Sequence, residues 1–345
     1  MRLGSSFDDR VRRGGVALFT GALLRDRFRT PDPVVENYDR PLPLSEAVAA
    51  ATVERFRHLS MLLILAAASI ALLLDGAFRV RVDFSGFAMV GLALAGLLAF
   101  SRRWWIQAGM QLAADALGTV SVMTIGGLCC GAIAMLELRL GFPMADDMLH
   151  QADLVLGIDG NRLAEALAQQ DLLFLMLAPV YNYTLELFLG SLVVLSMLND
   201  RIEAWRAAFS FVGTLLTTCA IAAFIPATGL VNWASPNLFE HLPRSFLTHF
   251  NEFYFGADPL LRLQVIDGVI TFPSFHAVVG FLVFAMWRTR PVARVAAAIW
   301  LVVELLSTVA GGHYMIDLIG GFLVWAGWFA LSRKIEKRVA NALPC

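Results

Sequence analysis

Long apolar runs with few charges dominate the chain, and most polar positions are gathered into the stretches between them. Eight runs of roughly helix-spanning length stand out, at about 59 to 77, 84 to 100, 115 to 138, 173 to 197, 205 to 225, 273 to 288, 293 to 310 and 314 to 331. At ~1.5 Å rise per residue, about 20 helical residues cross the ~30 Å hydrocarbon core of a bilayer. The pattern therefore predicts an all-α fold, a polytopic integral membrane helical bundle of about eight spans. The first 57 residues are polar and carry ten arginines together with Pro31, Pro33, Pro41 and Pro43. They read as a tail with no cleavable signal peptide, which makes the first run a signal anchor.

Composition places the chain in the same class, with 58% apolar and 16% charged residues. The four cysteines, Cys129, Cys130, Cys219 and Cys345, form no CxxC pair, and three lie inside apolar runs, so they read as packing residues. Nothing in the composition suggests nucleic acid as a partner. Charge adds orientation. Of the 27 basic residues 25 are arginine, most of them flanking apolar runs. With the N-terminal tail in the cytoplasm, 21 basic residues fall on the cytoplasmic side and six on the other, as the positive-inside rule requires. An even number of spans returns the C-terminus to the cytoplasm. Abundant Arg and Ala with only two lysines fit a GC-rich bacterial genome, so the expected location is a bacterial inner (plasma) membrane.

On the opposite side two loops exceed a simple connection, at about 139 to 172 and 226 to 272, and are expected to form a substrate vestibule. The first carries Asp146, Asp147, Asp153 and Asp159 among Met148, Leu149, Ala152 and Leu156, a spacing that suits an amphipathic surface helix or a solvated interfacial loop. The second mixes Trp233, Phe239, Phe246, Phe250, Phe253, Tyr254 and Phe255 with polar residues, as at a headgroup-level segment.

Two dense clusters near the C-terminus carry the candidate chemistry: Pro273, Ser274, Phe275, His276, and Gly311, Gly312, His313, Tyr314, Met315, Ile316, Asp317. The 37 residues from His276 to His313 allow one helix inward, a short turn and one helix back, which sets both histidines at the extracytoplasmic face. Pro273 suits a first helical turn, where Ser274 and free amides can hold a phosphate oxygen. Gly311 and Gly312 allow close backbone approach, and His313 and Asp317 share a helical face at i and i+4, so the carboxylate can fix the imidazole tautomer. His313 can then attack phosphorus, while His276 protonates the leaving oxygen and later activates the acceptor. A metal site of His276, His313 and Asp317 is the alternative use of the same side chains.

At these residues the chain resembles the type 2 phosphatidic acid phosphatase superfamily, and within it the branch containing inositol phosphorylceramide synthase. The resemblance rests on Val-Ile-Thr-Phe-Pro-Ser-Phe-His at 269 to 276 and Gly-Gly-His-Tyr-Met-Ile-Asp at 311 to 317. It extends to Pro-Met-Ala-Asp-Asp at 143 to 147, Asp153, Tyr181 and Phe-Ile-Pro-Ala-Thr-Gly at 224 to 229. It implies a cofactor-free, metal-independent phosphatase or phosphotransferase acting on a phospholipid or lipid phosphate, with a lipid hydroxyl as a possible acceptor, His313 as nucleophile and His276 as acid/base. It also implies a six-span core. The chain then divides into a cytoplasmic tail (1–57), two extra spans (58–110), the catalytic membrane core (111–332) and a basic cytoplasmic tail (333–345).

Two departures from the superfamily pattern bear on the chemistry. The upstream Lys/Arg-Pro signature is absent, and Ser307 stands where an arginine is expected six residues before the second histidine. Arg262 is the first candidate to supply the missing charge, followed by Arg244 and Arg139; with Ser274, Gly312 and Tyr314 it completes the expected substrate-binding set. Transfer to a lipid hydroxyl, hydrolysis of a lipid phosphate or polyprenyl diphosphate, and a proton-coupled transporter using the histidines as a relay are the three functional readings. Glu304, in the middle of the seventh run, is expected to bond within the bundle.

Overall fold

The computed structural model describes residues 44–83, 105–107, 109–235, 242, 244–262 and 268–342. The expected span at 84 to 100 and the first 43 residues lie outside them. In chain order the elements are α1 (Leu44–Phe78), β1 (Arg81–Asp83), α2 (Gln111–Leu136), α3 (Asp146–Val155), α4 (Gly160–Ala168), α5 (Asp171–Asn182), α6 (Thr184–Met197), α7 (Arg201–Ala222), α8 (Ser245–Phe255), β2 (Leu260–Arg262), α9 (Phe275–Met286), α10 (Pro291–Ala310) and α11 (Met315–Ala342). Short 3-10 turns at Glu137–Leu140 and Gly229–Asn232 extend α2 and follow α7. The two strands form a minimal parallel pair in which Val82 faces Leu261.

An all-α polytopic membrane bundle results. Among the described residues five helices are long and apolar enough to cross a bilayer, α1, α2 with its 3-10 extension, α7, α10 and α11, and six if the bent pair α4 and α5 counts as one span. Leu62, Leu65, Leu72 and Leu73 of α1 are 60–72% exposed, so its outer face is apolar where a soluble helix would be polar.

The expected continuous span at 173 to 197 is instead two helices, α5 and α6, which meet at Tyr183. Pro179 contributes no N–H to the ladder of α5, and the Thr184 hydroxyl donates back to the Val180 carbonyl at 2.7 Å. The halves take different neighbours, α5 against α10 and α6 against α2, α7 and α9. Upstream, α4 meets α5 at 114°. Like α6, α9 is an apolar helix too short to cross a bilayer alone.

Around α7 the helices α1, α2, α9 and α11 pack into a core that includes Trp205, Phe188, Leu192, Val212 and Val279. One end of this bundle is laced by ion pairs. Asp115, fully buried, accepts from Arg201 and from Trp205 Nε1 (3.0 Å); Glu203 pairs with Arg206 (2.6 Å) and Arg288 (2.5 Å); Arg290 bonds Asp200 (2.5 Å). Four of the arginines counted toward the cytoplasmic side are thus matched by acids, which lowers the desolvation penalty of burying them. From Pro291 to Ala310, α10 climbs ~30 Å away from this end. It delivers Gly311, Gly312 and His313 to the other end, where the long loops close over the bundle.

Candidate active site

The loops at the histidine end are held by acids that local sequence marks only as surface residues. Asp146 and Asp153, on α3, are 2% and 0% exposed. Asp146 Oδ1 accepts from the Gly229 amide (2.9 Å) and the Tyr314 hydroxyl (2.9 Å), and both its oxygens accept from the Thr228 amide (3.1 Å). Asp153 accepts from the amides of Met315 (2.9 Å) and Ile316 (2.8 Å), two of the orphan donors at the start of α11. Burial pushes both carboxyls above the usual carboxylate range, and these hydrogen bonds act against that rise. The amphipathic reading of this segment is therefore right about the helix and incomplete about its face, because two of its four acids point inward.

Glycine makes the crossing of these loops possible. Gly229 and Gly312 both adopt positive φ, +80° and +93°, and a Cβ on Gly229 would collide with the Gly312 carbonyl. That carbonyl accepts from the Leu230 amide at 2.7 Å. Beside it, a Cβ on Gly311 would lie 2.5 Å from the Tyr181 ring, so only glycine admits that ring against the end of α10.

The two histidines meet here. His313 and His276 lie with ring centres 6.1 Å apart. His313 Nδ1 is 3.2 Å from Asp317 Oδ2 and 3.0 Å from the Thr271 carbonyl. Both neighbours are acceptors, so Nδ1 carries a proton, and in the neutral ring Nε2 keeps its lone pair. Asp317 is fully buried; its Oδ2 also accepts from the Tyr314 amide (2.9 Å), and its backbone carbonyl accepts from the Ser274 amide (3.0 Å). One residue thus ties the nucleophile candidate to the start of α9. Ser274 caps that helix, its Oγ accepting from the Ala277 amide at 3.3 Å. His276 follows two residues later, in the first turn of α9.

Tyr181 links the pair from 132 residues away. Its ring stacks on His276 at 3.9 Å between centres, and its hydroxyl lies 3.4 Å from His313 Nε2. With Nε2 as acceptor, the phenol is the donor. Among residues of the expected set, Tyr314 is fully buried with its hydroxyl on Asp146 and on the Gly229 carbonyl (2.9 Å), and Ser274 is buried as a cap. Gly312 serves as turn backbone.

Arg262, the first candidate for the missing charge, is partly exposed at the end of β2. Its ion-pair partner is Glu252 at 3.8 Å, and its neighbour Leu261 packs with Phe250, Phe253 and Val269 in a separate apolar cluster. Arg139 is committed to the end of α8, donating to the carbonyls of Phe253 (3.0 Å) and Gly256 (2.6 Å). Among the described residues no group of three or more His, Cys, Asp or Glu is arranged to hold a metal ion. Glu304 bonds within the bundle, its Oε2 accepting from Thr184 (2.8 Å) and Ser307 (3.3 Å).

A family model described as PAP2 superfamily matches residues 147–331, more than half of the chain, and encloses both histidines, Asp317 and Tyr181. The chain belongs to the PAP2 superfamily. No curated protein and no solved structure matches it significantly. Membership in the PAP2 superfamily supports a phosphatase-type enzyme of lipid phosphates in general terms. It fits a helical protein embedded in the membrane that holds its substrate. Sequence reasoning passed over Tyr181 as a site residue; its one signal was its place in the resemblance. Thr271 acts through a backbone carbonyl and carried no side-chain signal at all.

Proposed function

We propose that this PAP2-superfamily protein is a membrane lipid phosphotransferase that works through a phosphohistidine on His313, as in the branch containing inositol phosphorylceramide synthase. The observation that supports it most is the setting of His313: Nδ1 is held by two acceptors, which leaves Nε2 as the nucleophilic nitrogen of the neutral ring, and His276 stacks on the Tyr181 ring whose hydroxyl reaches Nε2. Nε2 attacks phosphorus while the bond to the leaving alcohol breaks and the proton of a His276 imidazolium passes to the departing oxygen. In the second step an incoming hydroxyl gives its proton to His276 as its oxygen bonds phosphorus and the N–P bond breaks. Asp317 and the Thr271 carbonyl stabilise the charge that His313 gains in each transition state. The Tyr181 hydroxyl, already at Nε2, is placed to donate to a phosphoryl oxygen that approaches it.

A lipid alcohol is the acceptor in this reading, and water replaces it in the hydrolase alternative. Ser274, Tyr314, Asp146 and Asp153 act as positioning residues. The arginine distribution supports both termini in the cytoplasm with the histidines at the external face, the Arg- and Ala-rich composition with two lysines supports a bacterial inner membrane, and the resemblance supports 111–332 as the six-span core. The test supplies radiolabelled phospholipid to the purified protein with and without ceramide or diacylglycerol. Label moving to the added lipid, and lost in His313→Ala, is expected. Label released only to water would establish hydrolysis, and turnover that survives His313→Ala would overturn the mechanism.

A further inference from the structure

At the ion-paired end of the bundle, away from the histidines, α1 and α11 pack against each other and leave a groove of about 550 Å³ between them. Ala51, Ile335 and Val339, all half-buried, give it an apolar floor, and the exposed Arg55 and Arg338 stand on its rim. Both walls are fixed by one buried residue, Arg206 of α7. Its guanidinium sits 5.7 Å from the centre of the Phe56 ring on α1 and pairs with Glu336 on α11 at 2.8 Å. The groove is therefore a feature of the helical framework and does not depend on a loop.

The arginines around it fall into two groups. Arg57, Arg206, Arg288 and Arg333 each pair with an acid, drawn from Glu54, Glu203 and Glu336. Arg55 and Arg338 have no ion-pair partner among the described residues. The one acid on the described lining, Glu54, is engaged by Arg57 and lies 3.9 Å from His58 Nε2. Two unmatched guanidinium groups above an apolar floor are complementary to a ligand with an anionic head and an apolar body. Height along the helices says where such a ligand comes from. The apolar run of α1 begins at about 59 and that of α11 ends at about 331, so Arg55 and Arg338 stand roughly one and two helical turns outside the hydrocarbon. Long arginine side chains at that height reach the headgroup layer of the bilayer.

We propose that this groove binds an anionic phospholipid of the leaflet opposite the histidines, with the lipid phosphate between Arg55 and Arg338 and its glycerol and upper chains on the apolar floor. At about 550 Å³ the groove lies inside the roughly 300–1,000 Å³ range of small-ligand sites and suits one head group with the start of its chains. The rise along α11 from Met315 to Arg338 is roughly 35 Å, too far for one head group to serve both this groove and His313. The lipid here is therefore a ligand and not a substrate, and the assignment stands apart from the phosphohistidine reading. Bound in the groove, it bridges α1 and α11.

The test is native mass spectrometry of the full chain carrying His313→Ala, so that lipid is not consumed, with dioleoyl phosphatidylglycerol or dioleoyl phosphatidylcholine added in detergent. Phosphatidylglycerol is expected to be retained with at least about tenfold preference over phosphatidylcholine, because only the former carries a net negative charge to the arginine pair. Arg55→Gln/Arg338→Gln is expected to weaken phosphatidylglycerol about 30-fold, each basic side chain near the lipid phosphate contributing about fivefold, and to leave phosphatidylcholine within about twofold. Lys334→Gln/Lys337→Gln removes the same two charges from exposed positions of α11 outside the groove lining and is expected to shift neither lipid by more than about twofold. Lipid held at the histidine end is common to all these proteins, so the comparison between variants reports the groove alone. Val339→Trp keeps every charge, fills the floor and is expected to lose phosphatidylglycerol too; it carries the test if the arginine pair does not fold. Equal retention of the two lipids, equal losses in the arginine and lysine pairs, or full retention in Val339→Trp would overturn the assignment. Displacement by millimolar inorganic phosphate would make the groove a soluble-anion site, and a dimer that disappears in the arginine pair would make it an interface between copies; either result refutes the lipid.

Discussion

Replacing Asp317 by asparagine probes the link between the geometry and the proposed chemistry most directly. Asp317 Oδ2 accepts from His313 Nδ1 at 3.2 Å and from the Tyr314 amide at 2.9 Å. The asparagine oxygen, placed where Oδ2 lies, can keep both bonds but carries no charge with which to stabilise an imidazole that becomes cationic as phosphorus bonds Nε2. Hydrogen bonds to charged groups contribute about 1.5–3 kcal/mol, which converts to about 10- to 150-fold in rate. The Thr271 carbonyl, 3.0 Å from the same Nδ1, survives the substitution and still favours the productive tautomer, so the loss stops short of the level expected for His313→Ala. The assay is rapid-quench phosphoenzyme formation with a radiolabelled phospholipid, scored as acid-labile, base-stable label. A 10- to 150-fold slower burst in Asp317→Asn with unchanged KM is expected. An unchanged burst, or a loss as complete as that of His313→Ala, would refute the division of labour between Asp317 and Thr271.

Other expectations follow from individual contacts. His276→Ala should slow turnover of a natural phospholipid about 10²- to 10⁴-fold yet recover with a p-nitrophenyl ester, whose leaving group needs no proton; equal losses on both esters would remove His276 from the acid role. Tyr314→Phe removes the hydroxyl from Asp146 and Gly229 and should destabilise the protein by about 1–3 kcal/mol, read as a lower Tm in detergent; an unchanged Tm would mean that these bonds do not hold the loop. Arg262→Ala should alter kcat/KM by less than about fivefold, as for loss of a partly exposed ion pair worth at most ~1 kcal/mol; a much larger loss would place Arg262 at the phosphate after all. Because burial raises the folded-state pKa of Asp153, the folded protein binds protons more readily than the unfolded chain. Stability should therefore rise as pH falls through the raised value, down to ~3.9, and Asp153→Asn should flatten that part of the Tm–pH curve.

Much of the class of this protein was legible along the chain. Apolar runs of spanning length report helices because a backbone in hydrocarbon must satisfy its own hydrogen bonds, and a helix does so within the segment. The four-residue spacing of His313 and Asp317 put the couple within reach, although not on one helical face: His313 precedes α11, which begins at Met315, and Asp317 in its first turn reaches back to Nδ1. Pro273 and Ser274 read as a helix start, and Ser274 is the N-cap with Pro273 one residue outside the helix.

What lay out of reach depended on contacts across long separations. No periodicity announces that Tyr181, 132 residues before His313, will stack on His276 and bring its hydroxyl to His313; that follows from α5 packing on α10 and from Gly311 making room for the ring. Asp146 and Asp153 look like solvent-facing acids until the loop after α7 and the start of α11 bring amides to them. The run at 173 to 197 looks continuous until its halves take different partners. Local spacing determined which groups could do chemistry, because residues a few positions apart stay within reach of one another in a turn or a helix. Tertiary packing alone decided which of them meet, because burial and hydrogen-bond satisfaction are properties of the assembled bundle and not of any one segment.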